Sequence, residues 1–332
     1  MICDVGLQGR TVTHRLRLAV VGCGDIAGYT AWFARLNRRI QLAACCDVLT
    51  ERVDDFARRH RIPQAYTSYA QMLEQEALDA VYLAVPHHLH YEMLASAIQT
   101  GLHALVEKPI TRTLKEGIGI VEQAQAGDVR VGVNYQYRYD SGCYTLARAV
   151  QQGVLGAIHY ARCNLPWRRE RAYFEQAGWH AKLAQAGGGT LFTQGSHLID
   201  ILLWALDDSP QTVAGFTARR KFRDVEVEDL AQATIRMESG ALLQACCSMA
   251  ARTEQALSIE VYGEEGTARY SDRPLPHTKF RGVRAKRVRP PHWGVHALQR
   301  SLEGFRAWVV DGQPYLCLLY TSDAADESSR GG

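Results

Sequence analysis

The chain of 332 residues has no apolar run approaching the ~18 residues that a membrane-spanning helix needs. Its opening stretch, MICDVGLQGRTVTH, lacks the apolar segment of a secretion signal and reads as a disordered lead or a misplaced start over 1–15. Neither sign of charge dominates. Lys and Arg number 38 against 35 Asp and Glu, and a formal net charge of +3 is too slight to argue for a nucleic-acid partner. None of the nine cysteines stands in a CxxC pair. Two adjacent pairs, Cys45-Cys46 and Cys246-Cys247, lie in apolar runs where strand neighbours face opposite ways. This argues against a disulfide framework and for reduced core thiols in a cytoplasmic protein. What the chain does have is apolar content, 47%, enough for a sizeable core in two domains.

The stretch from 16 to 47 organises the rest. A short apolar run at 18–21 ends in Gly22-Cys23-Gly24-Asp25-Ile26-Ala27, a helical pattern follows to about 39, and a second apolar run at 41–46 ends in Asp47. Strand, glycine turn, helix, strand, acid is the layout of a dinucleotide site. Gly22 permits the tight turn, Gly24 lets a pyrophosphate approach the backbone, and Ala27 lets helix and strand pack closely. The helix start at Asp25 and Ile26 offers free N–H groups. Asp47 can bond both ribose hydroxyls and would repel a 2′-phosphate, which favours NAD over NADP. The alternative is a glycine-containing turn of a doubly wound fold with no ligand.

Further strands are expected at 78–85, 103–106 and 129–133, with helices at 51–61, 69–75, 91–100 and 113–126 between them. Alternation with short connections means a doubly wound parallel sheet. Its ligands belong at the carboxyl ends of the strands, where Pro86, His87, His90, Glu107, Lys108 and Pro109 fall. From 134 the rhythm changes. A helix at 144–152 is followed by strands at 157–165, 212–218, 230–237, 242–249, 258–262 and 267–270, several joined as hairpins, and helices are expected at about 192–206 and at 296–310. The second domain, 134–314, is therefore an α+β unit with a large, mostly antiparallel sheet. His87, His88 and His90 have no second cluster to complete a metal site, so no metal is expected.

Four segments carry a family resemblance: AVVGCGDIA at 19–27, AVPHHLH at 84–90, GLHALVEKPI at 101–110 and GGGTLFTQGSHLID at 187–200. With GFRAWVVDGQP near the end, the chain resembles the Gfo/Idh/MocA family of nicotinamide-dependent oxidoreductases. The resemblance implies hydride transfer between NAD and a secondary alcohol or ketone of a sugar, cyclitol or nucleotide sugar. It implies Lys108 and His197 as catalytic residues, His197 as general base, a cofactor lined by Pro86, His87, His90, Glu107 and Gln136, and a substrate lined by Arg138, Trp179, Thr193 and Gln194. Asp200 is read as structural. A homodimer or homotetramer is implied through the second sheet. One position departs from the pattern. Many relatives carry Asp four residues before the His, where this chain has Thr193, which can bond His197 but cannot stabilise an imidazolium. Redox-neutral use of a retained NAD, in a sugar–sugar oxidoreductase or an NAD-dependent glycosidase, stays open, as does a non-catalytic NAD or sugar sensor. The basic stretches at 167–171 and 281–289 are read as solvated loops, with a phosphate-bearing substrate as the alternative. The end, 315–332, resembles adapter-derived sequence, with the natural C-terminus expected to be missing after about Pro314.

Overall fold

Residues 15–317 are described in a computed structural model of the chain. Six strands form the first sheet: β1 (Leu16–Val21), β2 (Ile40–Cys46), β3 (Gln64–Tyr66), β4 (Ala80–Leu83), β5 (His103–Val106) and β6 (Val131–Val133). All pair in parallel, in the order β3-β2-β1-β4-β5-β6. The central strands are buried almost end to end because helices cover both faces. These helices are α1 (Asp25–Leu36), α2 (Thr50–His60), α3 (Tyr69–Gln75), α4 (His90–Gln99) and α5 (Leu114–Ala126). Cys45 and Cys46 point into the two opposite cores, as their adjacency predicts. The strand β3 is not foreseen, since three exposed or half-exposed residues at a sheet edge carry no apolar run. Strand order reverses between β1 and β4, and the crevice of an open parallel sheet opens there.

After β6 the chain crosses to a second layer system. Helix α6 (Ser141–Gln151) leads to β7 (Ile158–Pro166), the short helices α7 (Ala172–Ala177) and α8 (Leu183–Ala186), and α9 (Ser196–Leu206). Then come β8 (Pro210–Ala218), β9 (Leu230–Met237), β10 (Leu242–Ser248), β11 (Ser258–Gly263), β12 (Thr267–Ser271) and β13 (His277–Arg281). The sheet order is β13-β12-β11-β7-β10-β9-β8, antiparallel throughout except for the parallel pair β7–β10. Its inner face, including Ala161, Cys163, Leu243, Ala245 and Cys247, packs on α6 and α9. The strand β13 and its Arg281 belong to this sheet, not to a basic loop, because pairing with β12 satisfies a polar segment that has no apolar pattern of its own.

Helix α10 (Ala297–Asp311) packs on the first unit. Leu298, Leu302 and Phe305 enter the core formed by Leu16, Ala27, Ala31 and Phe33. Residues that follow the helix join it there. Tyr315 and Cys317 are buried in that same core, and the Cys317 carbonyl accepts from Val133 N at 3.2 Å. The rest of the expected tail, and the expected lead apart from Arg15, lie outside the described residues. No helix among the described residues is long and apolar enough to cross a membrane.

Candidate active site

The glycine turn separates two uses of glycine. Gly22 sits at φ +84°, and a Cβ there would lie 2.3 Å from the Ala84 carbonyl oxygen of the neighbouring strand end. The fold itself requires this glycine. Gly24 sits at φ −83°, open to any residue, and a Cβ there would meet nothing within 4 Å. Its missing side chain is explained by something outside the chain, and a pyrophosphate laid against the backbone fits. Beyond it α1 begins with no side-chain cap, its first residues Asp25 and Ile26 exposed, so its leading N–H groups are open to an anion. Ala27 is fully buried, as the close helix contact demands. Asp47 at the end of β2 holds the turn: its Oδ2 accepts from Cys23 N at 2.9 Å and its Oδ1 from Leu49 N at 3.0 Å. Arg52 stands 3.7 Å from the same carboxylate. These residues fit a bound dinucleotide.

The Glu107-Lys108-Pro109 turn sends its two charged side chains opposite ways. Glu107 turns into the protein, where Oε1 accepts from Tyr82 Oη at 2.6 Å and Asn134 Nδ2 at 2.7 Å. Asn134 in turn accepts from Ser301 of α10 at 2.8 Å, and Ser301 meets Tyr315 Oη at 2.9 Å. Glu107 therefore anchors the strand ends to α10, a different task from the cofactor contact expected of it. Lys108 points across the crevice and its ammonium donates to the Thr193 carbonyl of the second unit. Burial lowers its pKa from the ordinary 10.5; the Glu107 carboxylate opposes the shift and Arg169 adds to it.

Three glycines position the other half of the site. Gly189 packs against the Glu228 backbone, where a Cβ would lie 1.9 Å from the carbonyl oxygen. The Glu228 carboxylate accepts from Gly189 N at 2.7 Å and Leu191 N at 3.0 Å, capping the segment that follows. That segment is not the α-helix expected from 192. Residues Leu191–Gly195 take a π-turn before α9 starts. The wider turn removes the α-helical four-residue facing of Thr193 and His197. The Thr193 hydroxyl sits 2.6 Å from both the Gly189 carbonyl and Gln194 Oε1, so it is occupied there and does not bond His197. His197 is 5% exposed, its Nδ1 has no partner, and the rings of Tyr137 and Tyr135 flank it at 5.0 and 5.8 Å. Burial, then the Lys108 charge, hold its pKa well below the ordinary value, so the ring is neutral.

The remaining expected residues divide between the crevice and its framework. His87 meets the Ala186 carbonyl at 2.7 Å through Nδ1 and lies edge-on to Trp179 at 4.5 Å, joining the β4 end to the three-glycine turn. Burial pushes its pKa down to about 3. His90 is fully buried, with one ring nitrogen 2.8 Å from the Pro109 carbonyl and the other 3.0 Å from that of Val85. It braces the two strand-end loops from behind, while Pro86 leads into the first of them. No group of acids, cysteines and histidines among the described residues is arranged to hold a metal. Gln136 keeps a buried Oε1 without a partner. Arg138 forms a two-point ion pair with Asp200 at 2.7 and 2.9 Å and donates to the Leu316 carbonyl at 2.7 Å. Its charge is paired with Asp200 inside the protein, where a substrate contact is expected of Arg138 and a structural place of Asp200. Gln194 donates to Tyr173 Oη at 3.0 Å, and Tyr173 stacks on His180, which stacks on Trp179. Tyr173 is missed in the sequence because nothing in the stretch around α7 marks it off from any helix aromatic.

Two family descriptions match the chain. Residues 16–135 match the oxidoreductase family with NAD-binding Rossmann fold, and residues 144–269 match the GFO/IDH/MocA C-terminal domain. D-apiose dehydrogenase of Paraburkholderia graminis is 27% identical over 311 residues, covering 90% of this chain and 81% of that one. The WlbA dehydrogenase of Bordetella pertussis, solved with NADH and UDP-GlcNAcA, superposes with a TM-score of 0.80 at 25% identity, covering 92% of this chain and 91% of that one. An inositol dehydrogenase homologue of Azotobacter vinelandii, solved with NADH and myo-inositol, shares the fold at a TM-score of 0.77 and 21% identity, covering 91% and 90%. The Rossmann sheet, the open glycine turn and both family matches identify the chain as a member of the GFO/IDH/MocA family, an oxidoreductase with an NAD-binding domain.

Proposed function

We propose that the protein moves hydride between NAD and a secondary alcohol, or the matching ketone, of a sugar, cyclitol or nucleotide sugar. The carrying observation is that Lys108 and His197 reach one crevice from opposite units, both driven toward their neutral forms. The names and bound ligands of the relatives, an apiose, a myo-inositol and a nucleotide sugar, support the substrate class. NAD supplies the hydride acceptor. Gly24, Asp25, Ile26 and Asp47 would hold its adenosine half and pyrophosphate, and Pro86, His87 and Gln136 would line its nicotinamide half.

The proton is the protein's task. A neutral amine or imidazole can take the substrate hydroxyl proton as the carbon gives up hydride. His197 has no carboxylate to stabilise an imidazolium, since Thr193 bonds elsewhere. Lys108 has Glu107 beside it, which favours its ammonium once formed. Lys108 is therefore the proton acceptor and His197 orients the hydroxyl, one of the two assignments that Thr193 in place of the usual Asp leaves open. We expect Lys108→Ala to lower kcat by about 10³-fold or more while NADH affinity changes less than about threefold. In the oxidative direction kcat/KM should fall as pH drops through the lowered Lys108 pKa, because protonation removes the acceptor. His197→Asn should keep that limb and lower its plateau. A limb that survives in Lys108→Ala and vanishes in His197→Asn would return the base role to His197.

The outer face of the second sheet supports a homo-oligomer. Phe216 is 87% exposed there, in register across the strands with Gln232 and Cys246, and Leu242, Tyr160 and Tyr262 lie on the same face further along its strands. A second copy of this chain is the occupant we assign to it.

A further inference from the structure

The basic stretch at 167–171 takes no part in the chemistry above, yet one of its cations borders the site. The Arg169 guanidinium lies over the Trp167 ring at 4.8 Å and 5.7 Å from the Tyr173 ring. Tyr173 stacks on His180 at 4.3 Å, and its hydroxyl accepts from Gln194 at 3.0 Å. Gln194 follows Thr193, whose carbonyl receives the Lys108 ammonium. A short run of contacts thus joins Arg169 to Lys108, and the charge of Arg169 is felt there.

Arg169 is sparsely partnered for a side chain only 29% exposed. Its Nη1 donates to the Arg168 carbonyl at 3.0 Å and lies 3.7 Å from Glu254 Oε2. Glu254 is itself shared with Arg273. Among the described residues no acceptor is paired with Nε or Nη2 of Arg169. The nearby cations are otherwise engaged: Arg168 and Lys221 face Glu170, and Arg171 faces Glu175 and Asp224. Arg169 is the cation of this stretch that the protein leaves least neutralised, and two aromatic rings flank its guanidinium.

We propose that Arg169 forms an oxyanion subsite that takes a carboxylate or phosphate carried on the sugar itself, beside the carbon presented to Lys108. The free Nε–Nη2 edge of a planar guanidinium matches two oxygens of such a group. Its ring contacts lower the local dielectric and strengthen the pairing. A neutral sugar leaves that edge to water, so the subsite acts as a preference between otherwise identical substrates. The inference rests on the oxidoreductase reading above and names the substrate class within it.

The test compares matched sugars on the full chain: D-glucose, D-glucuronate and D-glucose 6-phosphate, and UDP-glucose with UDP-glucuronate. Turnover with NAD and binding to the NADH-loaded protein are both measured. The charged member of a pair should be favoured by about tenfold or more, and Arg169→Gln should cut that ratio by about tenfold. Whether glucuronate or the 6-phosphate gains more identifies the anion. Arg169→Lys, which keeps the charge and loses the fork, should restore part of the ratio. Glu254→Gln should raise it, and this holds even if Arg169→Gln folds poorly. Neutral sugars turned over with no charge preference, or a preference untouched by Arg169→Gln and Glu254→Gln, would overturn the subsite and leave the oxidoreductase reading in place. Charged sugars held in an Arg169-dependent way without any turnover would overturn that reading and leave the subsite. No charge preference in turnover or in binding overturns the subsite outright.

Discussion

Gly22 and Gly24 stand two residues apart in one turn and obey different demands. The positive φ, and the Ala84 carbonyl oxygen only 2.3 Å from where a methyl would sit, make Gly22 a requirement of folding. Gly24 has ordinary backbone angles and open space. Gly22→Ala should destabilise by about 3 kcal/mol through backbone strain and overpacking. Gly24→Ala should leave stability within about 0.5 kcal/mol and weaken NADH by about tenfold. Urea midpoints and NADH fluorescence titration read both; a Gly24→Ala protein that binds NADH normally would remove the pyrophosphate from this turn. The motif already gives the two glycines different tasks, but it does not show the neighbour that constrains Gly22, which comes from a strand far along the chain. Glu107 gives the same lesson. Its position in the motif places it at the crevice, but the polar partners that capture it, Tyr82 and Asn134, are named only by the packing.

Among the elements, α10 shows what packing adds to a pattern. Its periodicity makes it an amphipathic helix, and its apolar face completes the core behind α1, the helix whose start forms the dinucleotide turn. Phe305 is fully buried there. Phe305→Ala should cost about 3–5 kcal/mol and lower the thermal midpoint, with NADH raising the midpoint of the variant again in proportion to its binding. A change under about 1 kcal/mol would mean that α10 is peripheral to the first unit. The π-turn at Leu191–Gly195 departs from the helix expected from about 192. Helix propensity and spacing are blind to it, because it arises from the packing of the three-glycine turn on Glu228. It decides that Thr193 does not serve His197.

For the whole molecule, the second sheet has one face covered by α6 and α9, and among the described residues no helix packs on the other. Phe216 at 87% exposure, with Tyr160 and Leu242 exposed further along that face, is a large apolar commitment for a surface that remains wet. Size-exclusion with light scattering should give a dimer or tetramer. Phe216→Arg should move it toward the monomer while NADH affinity, set in the other unit, changes little. A monomeric parent protein at micromolar concentration would end the proposal of a second copy on this face.

Much is determined locally by the sequence. Doubly covered strands need continuous apolar runs, so the first sheet is legible strand by strand, down to β5 at His103–Val106. The antiparallel hairpins of the second sheet are legible from their alternation and turns. The edge strands β3 and β13 are not, since exposed pairing leaves no hydrophobic pattern. The residues proposed to carry the chemistry, Gly24, Asp47, Lys108 and His197, stand out in the sequence, because each chemical task needs a particular side chain. Their partners are decided by the tertiary structure alone: Glu107 on Asn134 and Tyr82, Arg138 on Asp200, Thr193 on Gly189, and Arg169 left with an open edge. A side chain's chemistry is written in one residue, whereas what satisfies or frees it depends on which distant segments the fold brings within hydrogen-bond distance.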